Sequence, residues 1–184
     1  MLWDPKEAPA VMDLRRLVRS IPDFPKKGIV FRDIMPLLGS AAALRYVVDA
    51  MFVHYFGRRI DKVVSAEARG FIFGPAVAYH LGAGFAAVRK PGKLPYKTKQ
   101  VTYDLEYGTD TLAIHEDALK KGDCVLLVDD LLATGGTMAA SARLCEQLGA
   151  KVVGAGFIIE LSFLKGREKL KPYDVFSLIQ YDSE

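Results

Sequence analysis

Cysteine is scarce. The 184-residue chain carries two, Cys124 and Cys145, with no Cys-x-x-Cys pair and no Cys/His cluster. That excludes a disulfide framework and the common zinc sites, and leaves two reduced thiols inside an apolar strand pattern and a helix pattern. The three histidines, His54, His80 and His115, stand apart in sequence and read as structural or surface groups. Long apolar runs are missing as well: nothing approaches the ~20 residues that span a bilayer. Residues 1–10 contain Trp3, Asp4, Lys6 and Glu7 and lack the apolar centre of a signal peptide. A cytosolic protein without membrane contact is the expectation. Nor does one charge sign dominate. Lys+Arg (25) and Asp+Glu (22) leave a net +3, which demands no nucleic-acid partner unless basic groups cluster locally. Repeats and low-complexity segments are also lacking.

What is present is an ordinary globular mix, 51% hydrophobic and 26% charged, in a length that suits one domain. Val11, Leu14, Leu17 and Val18 share a helical face, so residues 11–19 predict a short amphipathic helix. Pro22, Pro25 and Gly28 make the next segment irregular. Ser40 is the expected N-cap of a helix carrying Leu44, Val47, Val48, Met51, Phe52 and Tyr55. From there strand and helix signals alternate. Strands are predicted at residues 62–65, 85–88, 125–128, 152–159 and 175–179, with helices at 70–81 and 136–148, the latter ending at Gly149. The alternation argues for an α/β fold with a mainly parallel central sheet flanked by helices. Residues 90–115 break the rhythm. This segment is long, polar and too weakly apolar for core, and reads as a β-ribbon flap over a site.

The strongest chemical signal lies at residues 125–138. A buried strand ends in Asp129 and Asp130, and a loop containing Ala133, Thr134, Gly135, Gly136 and Thr137 opens a helix. Glycines let the backbone turn sharply and approach a ligand. Successive N–H groups make an anion-binding nest, and the following helix adds unpaired donors and the positive end of its dipole. The threonines add hydroxyls. This is a cradle for a monophosphate and not a Walker loop, because no Lys follows the second glycine. Asp129 and Asp130 suit the vicinal hydroxyls of a ribose. Their charge beside a phosphate favours a cationic partner such as Mg²⁺, or positive charge developing on the sugar. The plainer alternative, a turn with two solvated acids, does not explain why all these parts occur in order.

This stretch resembles the phosphoribosyl-pyrophosphate motif of the type I phosphoribosyltransferases, and its wording is most similar to the adenine branch. The resemblance implies that residues 133–137 hold a 5′-phosphate and that Asp129 and Asp130 hold the ribose hydroxyls. Mg²⁺ would be held through substrate and water near those acids, with no direct protein ligand. Two basic clusters, residues 67–71 and 89–95, follow predicted strands. Taken alone, Arg89, Lys90 and Lys93 read as a solvated turn. The resemblance implies instead that Arg69, Lys90 and Lys93 contact pyrophosphate, and that Glu67–Ala68 is a cis peptide. It also makes residues 21–34 part of a small N-terminal hood over the base. There Phe31 would stack on adenine, and main-chain groups of Val30 and Arg32 would read its edge, with Leu161 beneath. On its own residues this segment is a packing element with an aromatic beside an Arg. Within the flap, Glu106 would be the carboxylate near N7, a catalytic residue together with Arg69.

The resemblance runs from about Ile21 to Gln180. It implies one domain over residues 1–184: a hood at about 1–35, a core at about 36–184 and a flexible flap at about 94–114. The implied reaction is Mg²⁺-dependent displacement at the anomeric carbon of 5-phosphoribosyl 1-pyrophosphate (PRPP) by adenine, giving AMP and pyrophosphate. The implied assembly is a homodimer. The alternatives are transfer to another base, or a regulator that binds PRPP without catalysis. The short N-terminus and near-neutral charge weigh against the regulator.

Overall fold

A computed structural model describes residues 12–104 and 108–184. The first element among the described residues is a single 3₁₀ turn at Leu14–Leu17 rather than the predicted amphipathic helix. Extended backbone takes over at once, because β1 (Arg19–Ile21) pairs antiparallel with β2 (Phe31–Asp33). A short α1 (Met35–Leu38) follows, then α2 (Ala41–Tyr55). The Ser40 hydroxyl caps α2 by accepting from the Ala43 N–H at 3.3 Å, as its residue type predicts.

The rest alternates: β3 (Lys62–Ala66), α3 (Gly70–Leu81), β4 (Gly84–Val88), β5 (Thr98–Asp104), β6 (Thr109–His115), β7 (Cys124–Leu132), α4 (Gly136–Gln147), β8 (Lys151–Leu161) and β9 (Asp174–Tyr181). β4, β3, β7, β8 and β9 form one five-stranded sheet in that order, and every pairing in it is parallel. After β3 the chain turns to one side to lay down β4, then crosses to the other side for β7. The β3/β7 junction is thus the topological switch point, where α/β sheets bind ligands beyond their carboxyl ends.

The period-2 geometry of β7 sends its apolar residues to both faces. Val125 and Leu127 pack with Met138, Leu144 and Cys145 of α4. Leu126 and Val128 pack with Val47 and Met51 of α2 and Phe73 and Val77 of α3. Burial of Cys145 pushes its thiol pKa up to about 12, so it behaves as a packing group. β7 runs past the predicted residues 125–128 because Leu131 and Leu132 still pair with Ile159 and Glu160 of β8. α4 ends as predicted at Gly149, whose φ of 81° is left-handed.

The flap segment is a β5–β6 ribbon, as expected, but it is not wholly outside the core. Val101, Tyr103, Leu112 and Ile114 are buried in the α4-side cluster. The cross-strand register puts Val101, Tyr103, Leu112 and Ile114 on one face of the ribbon, with Lys99 and Asp110 among them, while the threonines alternate onto the other. That alternation is what made the segment look weakly apolar in sequence.

Candidate active site

Two loops meet at the switch point. From β3 come Glu67, Ala68 and Arg69, with the Glu67–Ala68 bond cis. From β7 come Asp129 and Asp130 and the glycine-threonine loop. Together residues 67–69 and 129–138 line a cleft of about 350 Å³. Arg69, Asp129, Asp130, Ala133, Thr134, Gly135, Gly136 and Thr137 all stand on its wall. Leu131, Leu132 and Met138 complete the wall.

The loop is held by backbone contact. Gly135 has φ 76°, and a Cβ there would come 2.5 Å from the Gly166 carbonyl oxygen. A Cβ on Gly166 would come 2.1 Å from the Ala133 carbonyl oxygen. The 3₁₀ turn Gly166–Leu170 therefore sits directly against the loop. No side chain caps α4, so its first-turn N–H groups remain as donors for an anion.

Asp129 and Asp130 carry the unusual electrostatics. The Asp129 carboxylate accepts from the Asp130 N–H at 2.9 Å and lies so close to the start of α3 that a Cβ on Gly70 would be 2.9 Å from it. Burial, followed by the charge of Asp130, pushes the proton affinity of Asp129 well up. Burial also raises Asp130, while the Arg69 charge opposes the rise. Arg69 Nε donates to Asp130 Oδ2 at 2.9 Å. The pair thus has one cation for two buried carboxyls, which is an environment suited to hydroxyl donors and a further positive charge. Among the described residues no three His, Cys, Asp or Glu side chains converge on a metal.

The guanidinium carbon of Arg69 also lies 5.4 Å from the centre of the Phe31 ring, which brings the hood to the cleft. Phe24 meets Phe31 edge-on at 5.3 Å. Arg32 turns elsewhere: its guanidinium lies over Tyr181 at 4.0 Å and donates to the Ser20 hydroxyl at 2.5 Å. Val30 precedes β2 half-buried, and Leu161 ends β8, packing with Leu131 against the α2/α3-side core.

The basic turn after β4 divides its labour. Arg89 makes a bidentate pair with Glu67, at 3.0 and 2.6 Å, and donates to the Lys93 carbonyl at 3.0 Å. Those Arg89 bonds, with the charges of Arg89 and Lys93, hold the Glu67 carboxyl below the usual range. Lys90 is paired with Asp110 of β6. Tyr103 of β5 joins Asp110 to Thr137 of the loop. Sequence reasoning passed over Glu67, Tyr103, Asp110 and Gly166 as site neighbours. Glu67 lay inside the run 67–71, and Tyr103 and Asp110 inside the flap at about 94–114, both marked by the resemblance, yet none of the three was given a role. Glu106 lies outside the described residues.

Comparison with known proteins agrees with this geometry. The phosphoribosyl transferase domain matches residues 39–183. An adenine phosphoribosyltransferase of Acidobacterium capsulatum is 58% identical over 168 residues, 91% of this chain and 93% of its own. The crystal structure of the adenine phosphoribosyltransferase from Thermoanaerobacter pseudethanolicus superposes with a TM-score of 0.89 at 53% identity, covering 92% of this chain and 98% of that one. The enzyme from Giardia lamblia, solved with 9-deazaadenine, gives 0.87 at 44% identity, with 92% and 96% covered.

Proposed function

The chain belongs to the phosphoribosyltransferase family, and from that membership we propose how it works as an adenine phosphoribosyltransferase of purine salvage, joining adenine to PRPP and releasing AMP and pyrophosphate. One observation carries the reading: Arg69 couples the paired acids of a phosphate cleft to an aromatic hood residue. Sugar, phosphate and base sites are thereby adjacent.

In this reading the 5′-phosphate sits in residues 133–137, on loop and helix N–H groups and the threonine hydroxyls. Asp129 and Asp130 accept from the ribose hydroxyls. Arg69, Lys90 and Lys93 hold the pyrophosphate, and their attraction grows as the leaving group gathers charge. Mg²⁺ would be held through PRPP and water near Asp129 and Asp130, and would supply charge neutralisation for the leaving pyrophosphate. Adenine stacks on Phe31 over Leu161, and main-chain groups of Val30 and Arg32 read its edge. Adenine presents an amino donor and a ring acceptor where hypoxanthine presents the reverse. A backbone pair built for adenine therefore leaves buried groups unpaired with hypoxanthine. Glu106 is the proposed carboxylate near N7, and the flap excludes the water that would otherwise capture the sugar.

The hood (1–35), core (36–184) and flap (94–114) act as one domain. The exposed apolar side chains of Val53 on α2, Phe56 just after it, and Ile72 and Tyr79 on α3 support a homodimer. No helix among the described residues is long and apolar enough to cross a membrane. The free thiols suit the proposed cytoplasmic location.

The test is nucleotide formation from PRPP and Mg²⁺ with adenine, hypoxanthine, guanine or orotate in turn. AMP from adenine alone is expected. Turnover of another base would overturn the roles of Val30 and Arg32. PRPP binding without turnover of any base would make the protein a regulator.

A further inference from the structure

Two of the groups assigned to PRPP are engaged by the β5–β6 ribbon. Lys90 is paired with the Asp110 carboxylate, and Tyr103 Oη lies 3.2 Å from the same Asp110 oxygen and 3.1 Å from the Thr137 hydroxyl. The directions of these bonds follow from what each group can do. The Lys90 ammonium bonded to Asp110 holds its carboxyl below the usual range, so the carboxylate only accepts. Tyr103 has one proton and gives it to Asp110. Its oxygen is then an acceptor, and the Thr137 hydroxyl must donate to it. The Lys90 charge and the Thr137 proton are thus both committed to ribbon side chains.

Asp110 is itself fixed, because its other oxygen accepts from the Thr111 N–H at 2.8 Å. Tyr103 is buried against the loop, and a Cβ on Gly136 would come 3.3 Å from its ring. Resting on the PRPP reading above, we propose that Asp110 and Tyr103 set affinity: Asp110 competes with pyrophosphate for Lys90, and Tyr103 competes with the 5′-phosphate for the Thr137 hydroxyl. A multiply charged pyrophosphate outcompetes this single carboxylate, so substrate still binds. The competition instead weakens the hold on the pyrophosphate product.

The experiment is titration calorimetry of Mg²⁺-pyrophosphate and of Mg²⁺-PRPP against the intact protein. Asp110→Asn should lower both dissociation constants by about two- to fivefold, the factor a part-exposed ion pair is worth. Asp110→Glu should stay within a factor of about two of wild type on the same grounds. Tyr103→Phe keeps the packed ring and should tighten PRPP while leaving pyrophosphate closer to wild type. The decisive arm is Lys90→Met, in which adding Asp110→Asn should give no further gain. An equal gain in that background would mean a diffuse charge effect and overturn the proposal. Weaker binding by Asp110→Asn, or no change, would overturn it too. Melting curves confirm that each variant is folded. AMP formation by the wild-type protein separates this outcome from failure of the underlying function: without it the function reading falls, and with it only the competition is on trial.

Discussion

Arg69 and Asp130 meet at 2.9 Å at the junction of two strand ends, and the same guanidinium lies 5.4 Å from the Phe31 ring. Removing Arg69 therefore leaves a buried carboxylate without its cation, takes a donor from the proposed pyrophosphate site and unseats the hood ring. Arg69→Ala should lower kcat/KM for PRPP by about 10²–10³, the usual loss for one preorganised donor. Arg69→Lys keeps the charge but not the planar fork, so it should recover only part of this. Steady-state kinetics with both substrates varied checks the point. Full activity in the Lys variant would show that charge alone suffices.

The acids pull stability and activity in opposite directions. Burial and the Asp130 charge raise the proton affinity of Asp129 in the folded chain. The unfolded value is about 3.9, so folding carries a penalty that is absent below that pH and complete above the raised folded value. Asp129→Asn removes the penalty at neutral pH. The ligand-free variant should melt about 2–4 °C higher for each kcal/mol relieved, while PRPP turnover falls steeply. Scanning calorimetry of the ligand-free protein is the measurement, and a lower melting temperature would contradict this account of the acid pair.

How far the sequence discloses this arrangement depends on the range of the interaction. The parallel sheet, the capped α2 and the glycine-threonine loop are local patterns, and each was legible from residue order. The first element was misread because the pairing of Ser20 with Arg32 overrides a short helical periodicity. The flap's buried face escaped because Val101, Tyr103, Leu112 and Ile114 alternate with threonines and share their face with Lys99 and Asp110. Within the site, Arg69 and the acids could be named from motifs. The Tyr103–Asp110–Lys90 chain could not: Tyr103 and Asp110 are cross-strand partners in the ribbon, but Lys90 reaches them from the turn after β4, which no local spacing connects. The Gly135–Gly166 contact is likewise a matter of backbone meeting backbone, invisible to any side-chain pattern.

That contact can be tested by adding one carbon. Gly166→Ala leaves the φ requirement of the loop untouched, yet its Cβ would stand 2.1 Å from the Ala133 carbonyl oxygen. The loop or the 3₁₀ turn must shift. We expect the PRPP KM to rise at least about tenfold with a loss of about 1–3 kcal/mol in stability, the range of overpacking. Gly135→Ala adds strain at φ 76° and should be worse. An unchanged KM in Gly166→Ala would show that the phosphate loop does not depend on the turn behind it.

The same turn is anchored by Glu160, which is 4% exposed. Arg167 grips it with two bonds of 2.9 and 2.5 Å, and the Ser177 hydroxyl donates at 2.6 Å. Burial pushes this carboxyl up, but the bonds from Arg167 and Ser177 outweigh it and hold it below the usual range. Such a group contributes stability above its unfolded value of about 4.3 and loses it as pH falls through the folded value. Wild type should therefore lose stability between about pH 5 and 3 more steeply than Glu160→Gln, as urea melts at each pH would show. Arg167→Leu should be worse than Glu160→Gln at neutral pH, because it strands a buried charge. Breaking a fully buried pair costs about 3–5 kcal/mol, and solvent at the 42% exposed Arg167 side chain discounts this to about 2 kcal/mol. Because Gly166 is the next residue, the loss should reach the phosphate loop, raising the PRPP KM before it alters the adenine KM. Equal rises in both would mean that the anchor supports the sheet end as a whole.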